Sequence, residues 1–242
     1  MELQRFFWLT LIAAAASLVQ SCTGFGFSIL AMSLWPLVMP YKVAASVTAL
    51  SSVAMIVFIT IKLRKHINFK LMLYPLVSST VTSLAGVFAL IASPDAVMRR
   101  VLGLVLVLLS AYFIFCSGRI QISQTPANGL IAGAVSGFLS GLFNLGGPPM
   151  VVYYLSAADD KLEYNATLQC YFAINGCIVV LFHVLAGNVD LQIMQYSALS
   201  LVGVAAGTLG GCALFQRISL LWIRRLVYGF MLAFGIYLLI WG

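Results

Sequence analysis

Charge is what this sequence has least of. Six Asp and Glu and thirteen Lys and Arg stand in 242 residues, so charged side chains make up 8% of the chain. A water-soluble domain carries about 25%, and a surface this poor in charge cannot face water. The six acids (Glu2, Asp95, Asp159, Asp160, Glu163 and Asp190) all fall in loops or at the ends of apolar runs. That placement excludes a proton relay built from buried carboxylates. Histidine is nearly as scarce: His66 and His183 lie far apart, leaving no convergent acid, base or metal set for a membrane-embedded enzyme. The five cysteines (Cys22, Cys116, Cys170, Cys177 and Cys212) are odd in number, form no CxxC and sit in apolar segments. They read as small buried hydrophobes, not as metal ligands or a disulfide framework. No GxxxxGK[ST] phosphate loop occurs, so an internal ATPase has no support. No cofactor and no metal site is expected.

What remains is apolar. Hydrophobic residues make up 62% of the chain, and the mean hydropathy is +1.07. Successive apolar runs of about 18 residues or more predict an all-α, polytopic protein of the cell membrane. The net charge of +7 then reads as loop Lys and Arg that set orientation, not as a nucleic-acid surface. The stretch LTLIAAAASLVQSC resembles a signal-peptide core. Gln20 and Ser21 stand before Cys22 where a lipobox wants small apolar residues, so cleavage is not expected.

The apolar blocks run roughly over 6–40, 44–61, 70–92, 96–117, 127–158, 165–187, 192–215 and 220–241. Two of them, 6–40 and 127–158, exceed the about 20 residues that cross a hydrocarbon core. Each is broken in its middle, the first by TGFGFS (Thr23 to Ser28), the second by NLGGPP (Asn144 to Pro149). The chain also repeats itself. Gly86 to Tyr112 and Gly211 to Tyr237 align without a gap through a starting Gly, an Arg-Arg pair and a closing Tyr. This predicts two homologous membrane repeats, 1–117 and 129–242, joined by a loop at 118–128, as in many secondary transporters.

Positive charge discriminates between parallel and inverted halves. If each long block crosses once, six Lys and Arg (Arg5, Lys62, Arg64, Lys65, Lys70 and Arg119) lie inside against seven outside, contrary to the positive-inside tendency. If each is a re-entrant hairpin followed by three transmembrane helices, the halves are inverted. Nine then lie inside (Lys62, Arg64, Lys65, Lys70, Arg119, Lys161, Arg217, Arg224 and Arg225) against four outside. The inverted arrangement is therefore expected, with both termini outside.

Irregular backbone survives at membrane depth only where protein or a water-filled cavity satisfies it. The two breaks are expected to meet near the midplane, each exposing amides at the start of a half-helix, where unpaired donors and the positive dipole end favour an anion. Prolines Pro148 and Pro149 suit a helix's first turn. The glycines Gly24, Gly26, Gly146 and Gly147 would admit close ligand approach, with close helix packing as the competing reading. Thr23, Ser28 and Asn144 add neutral donors, with Phe25 between the glycines of the first break. Gln169 and Asn175, costly to bury, are further candidates to face the cavity. Thr48, Ser51 and Ser52 read as interhelical hydrogen-bonding groups. His66 reads as a solvated loop residue. His183 is a proton-carrier candidate by its place inside a span, or sits one turn from the interface. The pairs Arg99–Arg100 and Arg224–Arg225 either snorkel to the headgroups or line anion-attracting vestibules.

The stretches GFGFSILAMSLWPLV and SGLFNLGGPPMVVYYL, with two four-segment halves, resemble the TauE/SafE (sulfite exporter) family of membrane transporters over essentially the whole chain. Phe25 and Phe27 depart from that family's commoner glycine-rich first motif. The resemblance implies a small anionic substrate of the sulfite, sulfonate or sulfoacetate class. An exporter with alternating access is expected, binding its substrate between the two breaks. Import of another small organic anion and an anion channel are the alternatives. The lipid bilayer is the expected environment, a homodimer is an open option, and no nucleic-acid partner is implied.

Overall fold

The computed structural model describes residues 2–115, 122–157, 161–215 and 220–242. Cys116, Arg119, Asp159, Asp160 and Arg217, and the first four residues of the expected loop at 118–128, lie outside the described residues. Among the described residues there are ten α-helices and no strand. They are α1 (Glu2–Thr23), α2 (Phe27–Leu34), α3 (Tyr41–Leu63), α4 (Phe69–Ala92) and α5 (Asp95–Phe115). The second half supplies α6 (Pro126–Phe143), α7 (Gly147–Ala157), α8 (Lys161–Leu185), α9 (Leu191–Phe215) and α10 (Leu220–Trp241). Short 3₁₀ turns follow α2 at Trp35–Leu37 and α3 at Arg64–His66. Five segments among them, Phe69–Ala92, Asp95–Phe115, Pro126–Phe143, Leu162–Leu185 and Leu191–Gly211, are long and apolar enough to cross a membrane. The chain is a multi-pass, helical membrane protein.

The chain divides into two compact units, and neither coincides with a sequence half. One comprises Met1–Ser51, Ser93–Ser117 and Val189–Gly242; the other comprises Ser52–Ala92 and Gly118–Asn188. The reason is visible in the glycines.

In the first unit, α1 runs parallel to α9. Gly203, Gly207 and Gly211, at four-residue steps on α9, face the carbonyls of Thr10, Ala14 and Leu18 on α1. A side chain at Gly207 would collide with Ala14's carbonyl, and one at Gly211 would place its Cβ 2.8 Å from Leu18's. Small residues at this spacing let backbones approach where no hydrophobic effect drives helices together. In the same unit α5 and α10 run antiparallel. A Cβ at Gly103 would lie 2.8 Å from Gly235 O, and one at Gly235 would lie 2.9 Å from Gly103 O. Ser110 Oγ donates to Tyr228 O at 2.8 Å, and Arg100 Nε donates to Gly242 O at 3.1 Å.

The second unit repeats the first scheme with exchanged partners. Its α6 runs parallel to α4, and Gly133, Gly137 and Gly141 abut Pro75, Ser79 and Ser83. Helices α1 and α6 each end at a break, and α4 and α9 are each the second-last helix of their half of the sequence. The first helix of each half thus packs on the third membrane helix of the other half.

Gly207→Val forces a branched side chain into Ala14's carbonyl, and overpacking of this kind costs about 1–3 kcal/mol. Gly210, one turn away from Gly207 on the helix, has open space around it. Thermal melting in detergent should show a clearly lowered Tm for Gly207→Val and an unchanged one for Gly210→Ala.

Candidate functional site

The two long apolar blocks break at corresponding places. The helix α1 ends at Thr23 and α2 begins at Phe27, while α6 ends at Phe143 and α7 begins at Gly147. Both gaps are three residues long and lie 120 residues apart (143 − 23 and 147 − 27). Each opens on a left-handed residue, Gly24 (φ 82) in the first and Asn144 (φ 56) in the second. That conformation ends a helix and is tolerated best by Gly, then Asn.

At the first break, Gly24 N–H bonds Gln20 O at 2.8 Å and closes α1. Gly26 follows with φ 124, a backbone that L side chains rarely adopt. The buried Gln20 side chain then bridges the gap. Its Oε1 accepts from Phe27 N–H at 2.9 Å, and its Nε2 donates to Gly24 O at 3.5 Å. Thr23 has one hydroxyl proton, and it is directed to Val19 O at 2.9 Å or to Phe25 O. Phe25 is buried against Phe113 (ring centroids 5.5 Å apart), which stacks in turn on Tyr228 at 5.0 Å. Phe25 therefore anchors the break to α5 and α10. The helical ladder of α2 starts with Leu30 N–H bonding Gly26 O at 3.2 Å. The amides of Ser28 and Ile29 precede that bond and have no place in it. Ser28 is half-buried, and its hydroxyl makes no hydrogen bond among the described residues. Ser28 is thus the side-chain donor this break has to offer.

The second break closes with a left-handed αL cap: Asn144 N–H bonds Ser140 O at 2.9 Å, and Leu145 N–H reaches back to Leu139 O at 3.2 Å. Gly146 is buried against the hydroxyls of Ser140 and Ser136, where any side chain would collide. Ser136 Oγ donates to Gly146 O at 2.7 Å and accepts from Tyr171 OH at 3.0 Å. The missing side chain of Gly146 therefore serves packing on α6. Gly147, Pro148 and Pro149 form the first turn of α7. The expectation of a row of exposed amides narrows here, because two of these three residues have no N–H. Gly147 is the one first-turn donor.

Among the supporting residues, α8 carries a polar stripe at four-residue steps. Glu163 Oε1 accepts from Asn68 Nδ2 at 2.7 Å, and Thr167 Oγ1 accepts from Asn68 N–H at 3.0 Å. Tyr171 reaches Ser136, and Asn175 Oδ1 accepts from Ser83 Oγ at 3.1 Å. Asn175 thus sits beside the end of α6 near the second break, since Ser83 also abuts Gly141. Gln169 does not join it. Six residues apart on a helix means about 240° of rotation, and Gln169 is buried on another face, its Nε2 3.4 Å from Asn165 Oδ1.

In the first unit, Thr48 Oγ1 bonds Ala44 O at 2.7 Å, and Ser51 bonds Val47 O at 2.7 Å and pairs with Ser200 Oγ at 2.5 Å. The bonds to Ala44 and Val47 lie within α3; the expected interhelical bonding is seen at Ser51–Ser200 and where Thr48 Oγ1 lies 3.3 Å from Met32 Sδ on α2. Arg99 Nη2 donates to Pro36 O at 2.5 Å, so Arg99 and Arg100 both tie down main-chain carbonyls. His183 is buried in the last turn of α8, within 3.4 Å of Asn188 Nδ2. Among the described residues no cluster of His, Cys, Asp or Glu could hold a metal ion.

Three participants were not identified from sequence: Gln20, Ser136 and Tyr171. Gln20 carries a signal in retrospect, being the one amide side chain in the apolar stretch that precedes the first break. Ser136 and Tyr171 carry none, since their roles depend on contacts 10 and 35 residues away.

A sequence model of the family described as "Sulfite exporter TauE/SafE" matches residues 9–238. The chain is 22% identical over 233 residues to a "Probable sulfite/organosulfonate exporter TauE" of Cupriavidus necator, covering 94% of this chain and 91% of that one. No solved structure matches.

Asn144→Gly preserves the left-handed turn, whereas Asn144→Val opposes it by about 1–2 kcal/mol. Melting curves should leave the glycine variant near wild type and lower the valine variant. Gln20→Ala strips a buried amide of its acceptor at a cost of about 1–3 kcal/mol, and should lower Tm comparably.

Proposed function

The chain belongs to the TauE/SafE sulfite exporter family of membrane transporters, and from that premise we propose that it is a secondary transporter exporting small sulfite-like or organosulfonate anions. The observation that carries the proposal is the chemistry left over at the helix breaks. The hydroxyl of Ser28, the first-turn amides of Ser28 and Ile29, and that of Gly147 are donors that the helical ladder does not use. At each break, taken by itself, these donors are neutral and sit at the positive end of a helix dipole, chemistry suited to an anion that must also leave. Export of one negative charge is favoured by roughly 2.3 kcal/mol per 100 mV of inside-negative potential. Neither ATP nor a buried carboxylate is required.

Inverted halves with alternating access form part of the same reading. The support comes from α5 and α10, which are equivalent by the sequence repeat and run antiparallel. The repeat offset is 125 residues (211 − 86). It carries the Gly103–Gly235 contact onto Tyr228–Ser110, which is the other contact of the same pair. A contact that maps onto itself in this way is what two halves related by a two-fold axis in the membrane plane require. The exchange of partners between α1·α9 and α6·α4 supports the same relation.

Proteoliposomes loaded with the purified chain, given radiolabelled sulfite, sulfate, sulfoacetate or taurine at imposed potentials, test the substrate class. Movement of sulfite or a sulfonate that follows the potential is expected; movement of only a cation or a neutral solute overturns the proposal. Ser28→Ala should raise the half-saturating concentration about tenfold, the loss of one hydrogen bond to a charged ligand. Tags read from each side of the membrane should find both termini outside, and a cytoplasmic C-terminus would refute the inverted arrangement.

A further inference from the structure

A cavity of about 500 Å³ opens where α3 gives way to α4, within the second unit. Lys65, His66, Asn68, Phe69, Lys70 and Glu163 line it. Its floor is fixed by Asn68, which is held by three hydrogen bonds. Nδ2 donates to Glu163 Oε1 at 2.7 Å, Oδ1 accepts from Leu71 N–H at 3.1 Å, and its own N–H bonds Thr167 Oγ1. Among the described residues that line the cavity, the one acid, Glu163, is thus turned onto the floor. Lys65, His66 and Lys70 stand exposed around it, with Arg64 adjacent and exposed.

Directly below, α4 presents apolar side chains outward at four-residue steps: Phe69 (62% exposed), Leu73, Val77 and Val81, with Phe88 further on. From Phe69 to Phe88 the ridge is about 28 Å long, close to the about 30 Å of a hydrocarbon core. The opposite side of α4, carrying Pro75, Ser79 and Ser83, is the one packed on α6. A cationic cup at the head of an outward apolar ridge has the outline of a lipid with a negative headgroup.

We propose that this face binds an anionic phospholipid, with its phosphate among Lys65, His66 and Lys70 and an acyl chain laid along Phe69, Leu73, Val77 and Val81. Two competing occupants fit less well. A small soluble oxyanion would leave most of the cavity unfilled and has no use for the ridge. A second copy of the chain meeting the same ridge symmetrically would bring its own cations against these, and like charges juxtaposed at an interface repel. Basic pockets beside membrane helices are established recognition elements for anionic headgroups.

The test is native mass spectrometry of the full chain released from detergent with dioleoyl-phosphatidylglycerol or dioleoyl-phosphatidylcholine, beside the Lys65→Gln/Lys70→Gln variant. Preferential retention of phosphatidylglycerol by the wild type is expected. Each basic residue near a membrane surface contributes about one kcal/mol, so the double variant should bind it about 30-fold more weakly, with phosphatidylcholine unaffected. Both lysines are exposed, so helical content and monodispersity should be unchanged in the variant. Equal retention of the two lipids, or equal retention by the two proteins, overturns the proposal. Soluble glycerol-1-phosphate displacing the lipid stoichiometrically would reassign the cavity to a free phosphate ester. Lipid-free dimers that dissociate on Val77→Arg substitution would reassign the ridge to a second copy.

Discussion

A backbone amide inside a hydrocarbon core must find its partner within the protein, and that obligation governs this molecule more than any other. Two helices stop and restart at three-residue gaps, and each gap leaves backbone donors and carbonyls that lipid cannot satisfy. The chain answers with side chains from the helix that has just ended. Gln20 caps Phe27 N–H at the first gap; Ser136, itself held by Tyr171, takes Gly146 O at the second. The glycine rows on α6 and α9 follow from the same obligation, because close backbones with hydroxyls at their contacts keep the neighbouring irregular segments shielded.

The gaps are matched in length and in their left-handed first residue, but they differ in chemistry. The first keeps a hydroxyl and two unused amides, at Ser28 and Ile29. The second replaces two donors with the rings of Pro148 and Pro149, which fix the start of α7 in a helical φ without adding hydrogen bonds. One gap is therefore the richer in donors and the other the stiffer in backbone. The two gaps agree in outline and differ in their contacts.

Much of this was legible in the sequence, and the part that was not has a common cause. The blocks at 6–40 and 127–158 exposed their own interruptions, because Gly and Pro clusters have a local conformational meaning. The expected repeat rests on Gly86, Gly211 and the Arg-Arg pairs. Roles that depend on distant partners could not be read. Phe25 stood in a candidate binding motif, and only its stacking on Phe113, which stacks in turn on Tyr228, reveals an anchor. Gln169 and Asn175 were both candidates to face a cavity, and their partners, Asn165 and Ser83, place them on different faces of α8. Gly146 was open to both a ligand and a packing reading, and the hydroxyls of Ser136 and Ser140 occupy the space beside it.

The exchange of partners between the halves has one more consequence. The first helix of each half lies on the third membrane helix of the other, and α5 lies on α10. Cut between α5 and α6, the chain would yield two fragments, each with its main packing surfaces bare and each shaped to cover the other's. Such fragments are obligate complements, like the two subunits of a heterodimer. In the single chain, the peptide linker holds them at a fixed one-to-one ratio and makes their folding unimolecular. Half a copy of this gene would encode no smaller transporter, only an unpartnered set of helices.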